Sequence, residues 1–236
     1  MFGRRRREQT PAPAGAAGPG RAEETGRAED AEARGSGHGA REAGPWDAGE
    51  DYPRRERVDL GGLRLPVDPG FEVQLNLAGE QIVGAVVVFD ESALQVHAFA
   101  APKRSGIWDE VRAELAEGVK SAGGTAEERQ GPFGVELAAR VPAEGTAQPV
   151  RYIGVDGPRW FLRAVISGRA ALDAGTAATL EDVVRDIVVV RGDEPMAPKE
   201  PIELQLPPEA RQAVERRTEA PDLNPFERGP EIAEVR

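Results

Sequence analysis

Residues 150–168 read VRYIGVDGPRWFLRAVISG, and this stretch predicts a packed, β-rich core. After the turn, a period of two puts one set of apolar side chains on a single strand face. The opposite face mixes arginines with apolar groups, which is typical of a sheet face partly covered by another element. The first set is Trp160, Leu162, Ala164 and Ile166; the second is Arg159, Phe161, Arg163 and Val165.

The turn inside this stretch predicts a hairpin. Asp156 and Gly157 tolerate a positive φ, and Pro158 fixes φ and withdraws a donor from the ladder. The two strands are therefore expected to pair through a tight connection of about four residues.

Outward from the hairpin, strands and helices follow one another in an α+β order. A helix with Ser105 as its N-cap and Ile107, Trp108, Val111, Leu115 and Val119 at helical spacing is expected to end at Gly123-Gly124. We predict a mainly antiparallel sheet of about seven or eight strands with two main helices packed on it. The strands are a short one from Val58, then 71–77, 82–89, 92–101, 125–130, 135–141, 150–155 and 160–167; the second helix begins near 177–179, and 188–191 fits either a helix end or a strand.

Composition divides the chain into three parts. Residues 1–57 hold ten glycines and almost no Ile, Leu or Val, so they cannot bury enough apolar surface to offset the entropy of ordering, and we predict a disordered tail. Residues 58–207 form the single predicted domain. Residues 191–206 are punctuated by proline and are expected to lie across it. Residues 208–236 are predicted to be a short polar helix followed by a frayed tail.

Charge limits the classes of partner. Residues 58–206 carry 14 basic and 23 acidic residues, so the domain would repel phosphate backbones and nucleic-acid binding by the fold is disfavoured. The run Arg4, Arg5, Arg6 and Arg7 is the exception, because it could touch RNA or anionic lipid. The more ordinary interpretation of that run is a solvated start to a disordered tail.

The chain has no cysteine, which excludes disulfides, thiolate catalysis and Cys-ligated metals. The segment after the arginine run is PAPAGAAGPG, which is too short of apolar residues for a signal peptide. No run of about 18 apolar residues follows, so no transmembrane segment is expected. These features predict a cytoplasmic protein.

Several unusual runs carry a resemblance to a known family. They are GLRLP (62–66), AFAAPKRSGIWDEVRAEL (98–115), GPFGVEL (131–137), IGVDGPRWFLR (153–163) and RGDEPMAPKEP (191–201). The chain resembles, over about residues 58–207, the actinobacterial family of domains of unknown function numbered 3710. The resemblance implies no established activity; members are often encoded near a dUTPase, which implies a link to nucleotide metabolism. The order of elements also resembles PsbP-like domains, which implies helices on both faces of a mainly antiparallel sheet.

No residue set amounts to an active site, and no catalytic residue is assigned. His97, the histidine inside the predicted domain, lacks a nearby orienting carboxylate and is interpreted as a structural residue with satisfied hydrogen bonds. The Asp-Glu pairs are adjacent in sequence and more consistent with solvated faces than with a metal site. Gly61-Gly62 lacks the ending of a P-loop. The sequence therefore predicts no metal and no cofactor.

The best positive candidate is a set of cations beside aromatic residues: Arg151, Arg159, Arg163 and Arg169. Four guanidinium groups near one region of an acidic domain could bind a carboxylate or phosphate. The alternative, which the sequence favours, is that they pair with the domain's own carboxylates.

Three functions remain open from sequence. The first is a non-enzymatic binding or adaptor domain for a protein or a small anionic ligand. The second is an enzyme, or an accessory to one, in nucleotide metabolism. The third is an RNA- or membrane-peripheral protein that acts through Arg4 to Arg7.

Overall fold

The computed structural model describes residues 43–79, 81–103, 106–143, 146–207 and 210, and within them eleven strands and two helices. The predicted N-cap Ser105, most of the two tails and the predicted helix near 209–217 lie outside the described residues. The strands are β1 (Trp46–Asp47), β2 (Arg57–Asp59), β3 (Leu63–Pro66), β4 (Glu72–Ala78), β5 (Gln81–Phe89), β6 (Ser92–Ala100), β7 (Thr125–Gly131), β8 (Gly134–Ala143), β9 (Thr146–Gly157), β10 (Trp160–Gly168) and β11 (Val188–Val189); the helices are α1 (Trp108–Ser121) and α2 (Ala174–Asp186).

Seven of these strands form one sheet in the order β4-β5-β6-β10-β9-β8-β7, and every neighbouring pair is antiparallel. This confirms the predicted α+β class and its antiparallel sheet. The strand predicted from Val58 is not part of it. That strand pairs with β3 in a separate four-stranded sheet of order β1-β11-β3-β2.

The predicted core face of β10 is confirmed, since its four apolar side chains are at most 1% exposed. Helix α2 covers this face through Leu180 and Val184, which belong to the same cluster of buried residues. Leu63 and Leu65 of the small sheet complete the cluster. Burial of apolar surface between these layers is the main stabilising term of the fold.

Helix α1 packs on the opposite face. The Trp108 indole lies parallel to the ring of Phe161, with 5.8 Å between ring centroids and 22° between planes. The indole Nε1 donates to the carbonyl of Val135 at 2.7 Å. Gly154 of β9 lies beneath the indole, where an added Cβ would approach the ring to 2.1 Å. Helices therefore cover both faces of the sheet, as expected.

Asp156 begins α1 from across the sheet. Its carboxylate accepts hydrogen bonds from the backbone N–H of Ile107 at 2.8 Å and of Trp108 at 3.3 Å. Both N–H groups lie at the start of the helix, where they have no acceptor within the helix. A residue 49 positions away from Ile107 in sequence therefore caps the N-terminus of α1. Burial raises the pKa of Asp156, and the two backbone hydrogen bonds oppose that rise.

The hairpin between β9 and β10 forms as predicted, but its geometry differs in one respect. Gly157 pairs with Trp160, so the loop is Pro158-Arg159. The positive φ belongs to Arg159, at 64°, rather than to Asp156 or Gly157. Proline followed by a residue of positive φ is the pattern of a type II turn.

The ordered domain extends beyond the predicted boundary at residue 58. Trp46 pairs in parallel with Val188, and the Trp160 indole Nε1 donates to Asp47 Oδ2 at 2.6 Å. Arg57 donates to Asp186 Oδ1 at 2.6 Å. Residues 46–57 contain no Ile, Leu or Val, so their composition predicts disorder. Strand pairing with β11 and partly buried polar contacts position this segment on the domain.

Residues 191–206 lie across the domain, as predicted. Backbone N–H groups of Ile202, Leu204 and Gln205 donate to Ala98, Ile82 and Leu60 respectively, at 2.8–2.9 Å. Residues 188 and 189 form a strand, which decides the alternative that periodicity left open. Within the described residues, no helix is long and apolar enough to cross a membrane.

We predict that Gly154→Ala destabilises the protein by about 2–3 kcal/mol, because the new methyl group overlaps the Trp108 indole and displaces α1. Denaturation in urea measures the change in the free energy of unfolding. Gly118→Ala is the matched control, since a Cβ there meets nothing within 4 Å. A Gly154→Ala variant as stable as the wild type would contradict the packing described.

Candidate anion-binding site

The four predicted arginines do not form one patch. Arg151 is opposite Ile166 and therefore lies on the α2 side of the sheet, whereas Arg163 follows Phe161 on the α1 side. Arg159 lies in the turn, so the prediction that it shares a strand face with Arg163 is wrong. Arg169 is exposed in a single turn of 3₁₀ helix, Arg169–Ala171. Each guanidinium group must therefore be considered separately.

Arg151 is a structural residue held by carboxylates. Its Nε and Nη2 donate to the two oxygens of Glu136 at 3.1 and 2.9 Å, and Nη2 also donates to Glu181 at 2.8 Å. Arg129 donates to Glu136 as well, at 2.6 Å. Glu136 is 3% exposed and Arg151 6% exposed, so this is a buried ion-pair network that joins the sheet to α2.

The pKa of Arg151 follows from this network. Burial alone lowers the pKa, but the hydrogen bonds and charges of Glu136 and Glu181 outweigh it, and the pKa is raised. Nε and Nη2 of the guanidinium group both donate to the protein's own acids. Arg151 therefore pairs with the domain's own carboxylates, which is the alternative interpretation given above for the arginine set.

Arg163 has the opposite surroundings. No carboxylate among the described residues lies within ion-pairing distance of it, and its Nε is buried without a hydrogen-bond acceptor. Its guanidinium carbon lies 5.2 Å from the centroid of the Phe99 ring, a cation–π contact. Burial lowers the pKa of Arg163, an effect that the nearby Tyr152 only partly opposes. Arg163 is thus a half-buried cation without a counter-ion in the described part of the chain.

His97 is the direct neighbour of Arg163 on β6. Burial and then the charge of Arg163 lower the pKa of His97 to about 4, so the imidazole is neutral at pH 7. The residue is buried, as expected for a structural histidine, but its Nδ1 has no hydrogen-bond partner among the described residues, which corrects the expectation of a satisfied side chain. Gly84 makes room for the ring, because a Cβ there would approach it to 2.6 Å.

Arg163 lines a cavity of about 350 Å³ between α1 and the sheet. The floor crosses three neighbouring strands, from Arg163 on β10 through Tyr152 on β9 to Val141 on β8. Glu114 lies in the wall, where Lys199 neutralises it at 2.7 Å. The remaining lining comes from α1 and the residue after it: Val111, Leu115, Gly118, Val119 and Ala122.

A second cavity, of about 740 Å³, lies beside residues 190–205. Its cation is Arg191, whose Nη1 donates to the Glu194 carbonyl at 3.0 Å. Four acidic residues line it against that one arginine, so its field disfavours anions. They are Asp193, Glu194, Glu200 and Glu203. Among the described residues, no group of three or more acidic or histidine side chains is arranged to hold a metal ion.

Sequence reasoning selected Arg163 but not most of the residues around it. The sequence alone indicates that Arg163 lies on the same strand face as Phe161, because side chains alternate along a strand. Strand alternation is therefore enough to separate it from the face on which Arg151 lies. Tyr152 is one of the aromatic residues that the sequence places near the arginine set. Gly118 and Val141 carry no such signal, because α1 brings them to the site only by packing on the sheet. Arg4 to Arg7 lie outside the described residues.

We predict that Arg151→Met and Arg163→Met have different effects on stability. Arg151→Met should lower the free energy of unfolding by about 3 kcal/mol, because it leaves Glu136 buried with fewer donors. Arg163→Met should stay within about 1 kcal/mol of the wild type, since it strands no carboxylate and removes a desolvated cation. Urea denaturation of both variants measures this. Equal losses would show that Arg163 is as structural as Arg151.

The low pKa of His97 predicts a pH dependence of stability. In the unfolded chain its pKa is near 6.5, so between pH 6.5 and 4 the unfolded state binds more protons and stability falls as pH falls. The full effect is about 3 kcal/mol, present above pH 6.5 and lost by pH 4. Urea denaturation from pH 7.5 to 4.5 should show a smaller loss for His97→Gln than for the wild type. Parallel curves for the two proteins would contradict the assignment.

Comparison with known proteins gives a family and several distant fold neighbours, of which two follow. The solution structure of cyanobacterial PsbP from Synechocystis sp. PCC 6803 is similar at 14% identity, with a TM-score of 0.40, over 62% of this chain and 99% of that one. A crystal structure from Bacteroides thetaiotaomicron is similar at 10% identity, with a TM-score of 0.35, over 61% of this chain and 52% of that one. These likenesses concern the fold alone. No curated protein matches the chain.

The family assignment rests on the sequence itself. Residues 44–213 match the family model described as "Protein of unknown function (DUF3710)". The match begins at residue 44, two residues before β1. The chain belongs to the DUF3710 family.

Proposed function

We propose that the protein is a non-enzymatic binding domain that holds a small anion at Arg163, in the cavity between α1 and the sheet. The observation that carries the proposal is a half-buried guanidinium group that faces a cavity and has no carboxylate partner among the described residues. By contrast, Arg151 in the same sheet has two carboxylate partners.

The physical argument is one of charge compensation. Partial burial of Arg163 removes part of the hydration of its charge, which costs free energy. No acid among the described residues compensates that cost by pairing with it. A carboxylate or phosphate beside it would supply the counter-ion and accept hydrogen bonds from the planar guanidinium fork. Burial raises the pKa of Tyr152, so its hydroxyl stays protonated at neutral pH and is a second donor beside the site.

The proposal favours a small anion over a nucleic acid. Residues 58–206 have an excess of nine acidic residues over basic ones, which repels a polyanion but leaves a local site around one cation possible. It also favours binding over catalysis. His97 next to Arg163 has a pKa of about 4, which makes it a weak base at neutral pH.

The other functions remain predictions with less support. No contact among the described residues favours any of them. They are a protein partner, a role in nucleotide metabolism, contact of RNA or membrane through Arg4 to Arg7, and a cytoplasmic location. Their chemistry enters the test below as competing outcomes.

The test is a thermal-shift and calorimetric titration of the full chain with acetate, benzoate, inorganic phosphate and dUMP. At about 100 times its Kd, a ligand should stabilise the native protein by about 2.7 kcal/mol. We expect at least one of these anions to bind with one site per chain, and Arg163→Met to abolish the binding. Arg169→Met is the matched control, since Arg169 is exposed and does not line the cavity.

Two outcomes would overturn the proposal. One is the absence of any saturable stabilisation by the four anions. The other is binding that survives Arg163→Met, which would place the anion elsewhere. Binding of dUMP alone, abolished by Arg163→Met, would support the anion site and move the function toward nucleotide metabolism.

A further inference from the structure

The walls of the Arg163 cavity restrict the chemistry of its ligand. Most of the lining is aliphatic, with the five apolar residues Val111, Leu115, Val119, Ala122 and Val141. A small anion such as phosphate would leave these walls against water. An apolar group bonded to the anion would cover them, and burial of apolar surface is favourable by roughly 25 cal/mol per Å².

The charged and apolar parts lie at different ends of the cavity. Arg163 is on β10, and Val141 is two strands away on β8. Two strand spacings are about 10 Å. Arg163 is level with Gly154 and Val141 with Gln148, six residues away along β9, so the two residues are also offset by about 20 Å along the strands. The C-terminal end of α1 lies over β8, because Gly124 is in close approach to both Val119 and the Arg140 carbonyl. A ligand anchored at Arg163 therefore extends its body over Tyr152 toward Val141, beneath the end of α1.

The charge of the site fits a single negative charge. Arg163 is the one cation among the described residues of the lining, and Glu114 adds a carboxylate that Lys199 only balances. A second negative charge on the ligand would have no partner in the cavity and would face Glu114. This favours a carboxylate, which also matches the two parallel donors of a guanidinium fork.

Gly118 lines the cavity from the helix side. It lies inside α1, and a Cβ there would meet nothing within 4 Å. Its φ is not positive, so the backbone does not require glycine. Glycine inside a helix is less favourable than alanine. A side chain longer than alanine at this position would enter space that the body of a ligand could occupy.

From these observations we infer that the ligand is an amphipathic monocarboxylate, with its carboxylate on Arg163 and an unbranched or aryl body that runs along α1 toward Val141. The inference rests on the proposed anion site and names its ligand class. It makes Gly118 a determinant of ligand length rather than of affinity for the carboxylate.

The experiment is a calorimetric titration of the full chain with acetate, hexanoate, octanoate and decanoate. Each added methylene should strengthen binding about threefold to fourfold until the body fills the cavity. Gly118→Leu should weaken decanoate at least tenfold while leaving acetate unchanged, because the new side chain occupies the space of the alkyl body. Its thermal midpoint should equal or exceed that of the wild type, which separates blocking from unfolding.

Glu117→Leu is the matched control, because it adds the same side chain to an exposed neighbouring position that does not line the cavity. It should leave the chain-length series unchanged. Affinity that is independent of chain length, or a series that Gly118→Leu does not alter, would overturn this inference. If phosphate and acetate still bound through Arg163, the proposed function would survive that result. Failure of every anion to bind would overturn both.

Discussion

The contact between the Trp108 indole and the backbone of Gly154 holds α1 on the sheet, and the cavity depends on it. No side chain other than hydrogen fits at Gly154, because a Cβ would lie 2.1 Å from the indole. Asp156 binds the first N–H groups of the helix, and the indole donates to Val135. The start of α1 is thus fixed at several points. The side of α1 that carries Val111, Leu115 and Gly118 lines the cavity, with the sheet on the opposite side.

The two faces of the sheet treat buried arginines differently. On the α2 face, Glu136 and Glu181 surround Arg151, and the network joins the sheet to the helix. On the α1 face, Arg163 has an aromatic ring and a neutral histidine as neighbours. A buried charge costs stability unless it is paired, and Arg163 has no carboxylate partner among the described residues although it lies beside a cavity. This contrast supports the proposed binding site.

Much of the fold could be predicted, because the strands of the large sheet alternate strongly and are linked by glycine and proline. The alternation of Trp160, Leu162, Ala164 and Ile166 matches the buried face residue by residue. Prediction failed for residues 46–57, because long-range strand pairing and polar contacts, rather than burial of aliphatic side chains, position this segment. Trp46 and Asp47 lie in a segment without Ile, Leu or Val, yet pair with β11 and with the Trp160 indole. For the site, Arg163 was selected together with three arginines that have other surroundings.

The sequence by itself determined the class of the fold, the core face of β10, the hairpin and membership in the DUF3710 family, because each depends on residues that are neighbours along the chain. Only the tertiary structure decided that Arg151 is paired with carboxylates and that Arg163 has no carboxylate partner among the described residues. Strand alternation separates Arg151 from Arg163, but the acids that bind Arg151 come from β8 and α2, at separations of 15 and 30 residues. Ion pairing depends on distance in space, and the packing of α1 and α2 on opposite faces sets that distance.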